Sequence, residues 1–450
     1  MKIIILGNGV SGITAARYIR KLSDHEITVI SDEADYFFSR TALMYVFMGH
    51  MRRKDVQPYE DWFWEKNRIA LLRDRVSHID FEAKTLQTSH GKSIAYDKLI
   101  LAVGSQSNKF GWPGQDLDGV HGLYHWQDLE AMERHSRGLA RAVIVGGGLI
   151  GIEMAEMFHS RHIPVTFLVR ESSFWDIVLP PQESAMINRH ISDHGIDLRL
   201  QTELKEILPD ENGKCRAITT STGETIPCGF VGLTAGVSPN VGFLKNTALE
   251  INRGILVNEY LETNQPDVYA IGDCAEIRQP QPGRRSIEAV WYTGRMMGKT
   301  VAHTICRQAT AYNPGIWFNS AKFFDIEYQV YGEIQPREPE NLASLYWEHA
   351  GGKKSIRLAY DRHSGAITGF NLMGIRYRHE VCEKWLHAGT HIEEVLQNLG
   401  LANFDPEFFP QHESELVAEY NRQTGKSLVI KRKRGLPAVL QFLNKQHPSS

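Results

Sequence analysis

"KIIILGNGVSGITAARYIRKL", Lys2 to Leu22, carries the pattern that decides the fold. Four apolar residues in a row read as a short strand buried on both faces, and the apolar spacing after residue 10 reads as a helix. Between them stands Gly7-x-Gly9-x-x-Gly12. Gly7 permits the tight turn, Gly9 lets the backbone approach a pyrophosphate, and Gly12 lets the helix pack on the strand. The helix N-terminus then offers unpaired N–H groups to an anion.

Reading outward, "EITVISDE" supplies the next strand and ends in Asp32 and Glu33, with Asp32 twenty positions after Gly12. A carboxylate there accepts hydrogen bonds from an adenosine ribose. The whole pattern returns 139 residues further on, in "RAVIVGGGLIGIEMAEMF", where Gly146, Gly148 and Gly151 precede a helix and then the strand "PVTFLV". Strand, glycines and helix repeated in order imply two nucleotide-binding units, and two dinucleotides imply electron transfer between them.

Composition narrows the class. At 450 residues with 42% hydrophobic content the chain has material for two or three domains. Its 50 basic and 53 acidic residues nearly cancel, so no nucleic-acid partner is expected. The five cysteines are scattered without a Cys-x-x-Cys pair, so no metal site is expected, and a reducing cytoplasm fits. "IIIL" follows Met1 without the regions of a signal peptide, and no apolar run reaches about eighteen residues, so neither export nor a membrane span is expected.

The chain resembles the pyridine nucleotide-disulfide oxidoreductase superfamily. The likeness is carried by both glycine turns, by "YDKLILAVGS" (Tyr96 to Ser105), by "TAGVSPN" (Thr234 to Asn240, with Gly236) and by "TNQPDVYAIGDCAE" (Thr263 to Glu276). It implies an α/β fold with two Rossmann-like domains, one for FAD and one for NAD(P)H, and an α+β C-terminal interface domain. The order of motifs gives a discontinuous FAD domain at 1–115 and 240–310, an NAD(P)H domain at 116–239 and an interface domain at 311–450.

The resemblance also implies roles. The segment holding Ala102 and Gly104 closes a crossover between the nucleotide domains. The Gly272-Asp273 pair sets a carboxylate against the ribityl or phosphate region of the flavin, Arg40 borders the FAD, and Glu153 stands close to the flavin ring. For Arg40 a surface arginine, for Glu153 an exposed helix glutamate and for Asp273 a turn aspartate are the plainer readings. The NADH-selecting carboxylate of the family falls on Val169. Arg170 would suit a 2′-phosphate and Glu171 a free 2′-OH, and a single basic residue leans toward NADH.

Disulfide reductases of this superfamily pass electrons to a cysteine beside the flavin. In "YFFSRTALMY", Tyr36 to Tyr45, the matching position is Thr41, and the first cysteine in the chain is Cys215. A hydroxyl has no redox couple and forms no mixed disulfide. The chain therefore looks nearest to the rubredoxin, ferredoxin and nitrite reductase flavoprotein branch, in which electrons pass from NAD(P)H through FAD to an iron-sulfur protein or other acceptor. A type II NADH:quinone reductase is the runner-up, although its glutamine-containing signature is missing near "IEAVWYTGRMMG". A flavin-binding sensor or structural protein with slow turnover is the reading from another class.

From "WFNSAKFFDIEYQVYG" onward short alternating strands predict an antiparallel sheet, with Gly365 in a turn of "KSIRLAYDRHSGAITGFNLMG". Helices are expected at "HEVCEKWLHAG" and "IEEVLQNL". Such a domain packs on the flavin or on a second subunit, which leaves room for a homodimer. The basic run Lys431 to Arg434 precedes an apolar patch. An amphipathic anchor would set it on anionic lipid, but Pro437 and the short apolar run favour a solvated tail or a partner contact.

Overall fold

Ile3, Ile4, Ile5 and Leu6 are buried, as a central parallel strand demands, and that strand organises the first half of the molecule. The computed structural model describes residues 1–405, 407–431, 439, 440 and 442. It falls into two units, Met1–Phe167 with Glu203–Pro314, and Leu168–Thr202 with Gly315–Ser450.

In the first unit one parallel sheet runs in the order Val268–Ala270, Lys98–Leu101, Lys2–Leu6, Glu26–Ser31, Ile69–Arg73. Strand order reverses on either side of Lys2–Leu6, and a crevice opens at the carboxyl ends of the strands at such a switch point. The helix Val10–Leu22 packs against Trp291–Cys306. Their approach is close because Gly298 faces the Ser11 carbonyl, where a Cβ would stand only 2.5 Å away.

A second sheet in this unit sets Val165–Leu168, Ala142–Val145, Phe230–Leu233 and Val120–His121 in that order, and repeats the arrangement around Ala142–Val145. Two short antiparallel strands, Ser105–Ser107 and Val237–Pro239, pair where the chain passes between the sheets and returns.

The second unit holds an antiparallel sheet in the order Phe318–Phe323, Ile326–Gly332, Ile367–Met373, Ser355–Asp361, Leu342–Glu348. Gly365, at φ +70°, sits in the turn between two of these strands. Helices His379–His387, Ile392–Gln397 and Glu413–Thr424 contribute Val381, Trp385, Leu396 and Leu416 to its core. Phe323, Phe324, Tyr328 and Tyr331 are buried here, so they serve packing. Beneath the sheet Arg357 makes a bidentate pair with Glu183, at 2.7 and 2.8 Å, and both side chains are almost completely buried.

The fold class is thus mixed α/β, with two parallel Rossmann-like sheets and an α+β C-terminal part. The basic run lies outside the described residues except for Lys431, whose N–H donates to the Gln397 carbonyl at 2.7 Å. Among the described residues no helix is long and apolar enough to cross a membrane.

Candidate functional site

The crevice at the end of Lys2–Leu6 is a cavity of about 530 Å³, a size typical of small-molecule sites. Gly7, Gly9 and the first residues of the helix form one side of it. Gly7 has φ +114°, and a Cβ there would stand 2.1 Å from the Ala102 carbonyl oxygen, so only glycine fits. Gly12 lies beneath, where a Cβ would meet the Gly7 carbonyl oxygen at 2.1 Å. Gly9 differs, because a Cβ there would meet no protein atom within 4 Å. Protein packing therefore does not exclude a side chain at Gly9.

Asp32 and Glu33 both reach the cavity wall, with unequal surroundings. Asp32 is exposed. Glu33 accepts from both terminal nitrogens of Arg40, at 2.9 and 2.7 Å, and from the Trp126 backbone N–H at 2.9 Å. Burial alone would raise the Glu33 pKa, but His125 and the Arg40 guanidinium outweigh it and bring the carboxyl down to about 2.

Arg40 also donates to the Tyr124 carbonyl and lies over the Tyr124 ring, 4.5 Å from its centroid. The Tyr124 hydroxyl donates to Asp273 at 3.0 Å and accepts from the Ser105 N–H at 2.9 Å. Burial raises the Asp273 pKa, against the hydrogen bond from Tyr124 and the charge of Arg40. Glu33, Arg40, Tyr124 and Asp273 are thus one continuous polar wall. Tyr124 was not among the residues expected from the sequence, and no local signal marks it.

The remaining expected residues divide by place. Ala102, Gly104 and Glu153 line the same cavity. Gly272, at φ +73°, packs on Ser11 behind it, and Gly236 begins the returning crossover strand. The second turn repeats the first: Gly146 has φ +119° with its Cβ position 2.7 Å from Thr234 and Ala235, Gly151 faces the Gly146 carbonyl at 2.2 Å, and Gly148 faces open space. Arg170 and Glu171 belong to the other unit and pair with each other at 2.8 Å.

Thr41 stands in the cavity wall, exposed, with its hydroxyl 3.2 Å from that of Ser39. Cys274 follows Asp273 but is fully buried, its thiol near the Leu101 and Ile271 carbonyls, and burial pushes its pKa up to about 12. It is a sealed thiol, not a nucleophile.

Residues 1–298 match the model of the pyridine nucleotide-disulphide oxidoreductase family. The assimilatory nitrate reductase electron transfer subunit of Bacillus subtilis (strain 168) is 25% identical over 372 residues, 81% of this chain and 47% of that protein. The nitric oxide reductase FlRd-NAD(+) reductase of Salmonella agona (strain SL483) is 32% identical over 278 residues, 61% of this chain and 72% of that one. Among solved structures, an NAD-dependent persulfide reductase from A. fulgidus shares the fold with a TM-score of 0.81 at 21% identity, over 94% of this chain and 84% of that one. The chain spans about half the length of the first two curated relatives it matches.

Proposed function

We propose that this chain, which belongs to the pyridine nucleotide-disulphide oxidoreductase family, is an FAD-dependent oxidoreductase that passes electrons from NAD(P)H to a non-disulfide acceptor such as an iron-sulfur protein. The observation that carries the reading is Thr41 in the cavity wall, with the nearby Cys274 sealed in the core. A disulfide substrate requires a thiolate to attack its sulfur, and neither side chain supplies one. The relatives named as an electron transfer subunit and as an FlRd-NAD(+) reductase support the same acceptor class.

The residues fit the cofactor. The open Cβ position at Gly9 and the N–H groups at the start of the helix suit a pyrophosphate. Asp273 would accept from a flavin hydroxyl, held in place by Tyr124. The Glu33 carboxylate, fixed by Arg40 and by the Trp126 N–H, would shape the adenosine end. When bound, FAD supplies the redox chemistry, accepting hydride from the nicotinamide and releasing electrons to the acceptor. The protein contributes orientation and a polar wall. Gly146, Gly148 and Gly151 would hold the second dinucleotide, and Glu153, on the helix that follows, would orient the ring end of the site. Glu171 already engages Arg170, which supports NADH over NADPH.

The same reading keeps the three-part division of the chain. It is supported by one sheet built from strands within 2–101 and 268–270, another that takes strands from 120–233, and the paired crossover between them. Five cysteines without a disulfide suit the cytoplasm, and a homodimer through the C-terminal unit completes the proposal.

Anaerobic mixing decides it. NADH should bleach the protein-bound flavin, and ferricyanide should reoxidise it, while glutathione, lipoamide and coenzyme A disulfides give no turnover. Efficient disulfide reduction would reject the reading, and very slow bleaching by either nicotinamide would turn it toward a sensor.

A further inference from the structure

The helix Pro181–Asp193 carries His190 and is capped by His194, four residues on and so on the same face. Both belong to the second unit, as does the turn between strands Phe318–Phe323 and Ile326–Gly332, which holds Asp325. His190 Nε2 lies 2.7 Å from Asp325 Oδ1, and His194 Nε2 lies 3.8 Å from that same oxygen. One ligand atom from each residue falls within 4.8 Å of the other two.

Local chemistry orients the rings. His194 Nδ1 is 2.8 Å from the His190 carbonyl oxygen. A carbonyl only accepts, so Nδ1 carries the proton and the neutral ring presents the lone pair of Nε2 toward the carboxylate. Phe324 stacks on that ring at 4.2 Å with planes 20° apart, which holds it in place. Lys353 takes the other carboxylate oxygen of Asp325 at 2.8 Å and leaves Oδ1 to the histidines.

We propose that His190, His194 and Asp325 form a binding site for a divalent transition-metal ion of the zinc class, fastening the end of the helix to the turn. Two imidazoles and one carboxylate suit zinc or cobalt better than magnesium or calcium, which prefer an all-oxygen shell. Tetrahedral zinc with bonds of about 2.0–2.1 Å separates its ligand atoms by roughly 3.3 Å, and the observed 2.7 and 3.8 Å bracket that value. Asp325 is half exposed, and His190 also lines a cleft with Gly351 and Lys353, so water would complete the shell as the fourth ligand. None of the three residues lines the flavin cavity, so the ion fastens structure and takes no part in electron flow.

The test uses the full chain as purified, treated with a chelator and dialysed. Calorimetry with zinc chloride should give one equivalent bound, cobalt chloride should produce visible d–d bands, and zinc should raise the melting temperature. Asp325→Asn and His194→Gln, both at solvent-accessible positions, should weaken zinc binding by more than roughly tenfold without altering flavin absorbance. Lys353→Met, which removes a competing cation, should tighten it severalfold, an effect that a purely structural His-Asp contact would not produce. The assignment falls if zinc does not bind stoichiometrically, if Asp325→Asn binds as the parent does, or if binding is lost instead in His135→Gln, which belongs to the separate group Asp118, His121 and His135.

Discussion

The two glycine turns are nearly superimposable in their constraints and differ in what surrounds them. Gly7 and Gly146 have φ +114° and +119°, Gly12 and Gly151 would each clash with a carbonyl at about 2.1 to 2.2 Å, and Gly9 and Gly148 both face open space. The first turn, however, opens on a cavity walled by Glu33, Arg40, Tyr124 and Asp273. On the proposed function, the recurring turn would fix how a dinucleotide pyrophosphate is met. Residues brought from distant parts of the chain would then decide which dinucleotide each turn holds.

The largest effect separates the glycines within one turn. Gly7→Ala should cost more than about 3 kcal/mol and yield little folded protein, because its Cβ would overlap the Ala102 carbonyl. Gly9→Val should fold with an unchanged melting temperature for the apoprotein yet purify colourless. Gly148→Val should purify yellow but lose reduction by NADH. Loss of flavin from the Gly148 variant, with flavin retained in the Gly9 variant, would exchange the two assignments.

Next comes Glu33→Gln, which strips Arg40 of its ion partner and should lower stability by about 2–3 kcal/mol in urea denaturation at neutral pH. The pH dependence has a definite sign. The Glu33 carboxyl falls from 4.5 to about 2 on folding, so its contribution, about 3 kcal/mol, is complete above pH 4.5 and is lost as pH falls toward 2. Asp273 works the other way, since its raised pKa favours the folded state at low pH and that contribution fades as pH rises. The difference between parent and Glu33→Gln should therefore vanish near pH 2, and a constant difference down to that pH would show that the ion pair is not the cause.

Tyr124→Phe keeps the ring under Arg40 and removes only the hydroxyl between Ser105 and Asp273. Flavin affinity should drop by about tenfold, the worth of roughly 1 kcal/mol or slightly more, as read by equilibrium dialysis. The smallest change belongs to the second turn. Arg170 is exposed and Glu171 half-buried beside it, so Glu171→Gln should shift the ratio of kcat/KM for NADPH over NADH only severalfold. An unchanged ratio would remove both residues from cofactor selection.

The strands and helices around both turns were legible from local periodicity, and so was Thr41 as the position without a thiol, whereas the backbone that Gly7 and Gly146 pack against, at Ala102 and at Thr234, comes from far along the chain. The polar wall was not legible either. Tyr124 lies 84 residues from Arg40 and 149 from Asp273, and no spacing announces such a contact. Glu33 stood in view beside Asp32, but the Trp126 N–H that distinguishes it comes from 93 residues away. The helix Glu413–Thr424 carries a weak sequence signal, because its buried apolar stripe is only Leu416, Val417 and Tyr420 amid charged residues. His190 and His194 showed helical spacing, whereas Asp325 joins them only through the fold.

The burial of the thiols bears on how the protein would meet thiol reagents. Cys215, Cys228, Cys274 and Cys382 are buried and Cys306 is half-buried, and burial pushes Cys274 to about 12. Reagents that silence cysteine-dependent flavoenzymes, such as maleimides, iodoacetamide or trivalent arsenic, find no cysteine among the residues lining the cavity at Gly7. On the proposed function, NADH-to-ferricyanide activity of the purified protein should survive treatment with an alkylating agent, and its loss would point to a thiol that the electron route depends on.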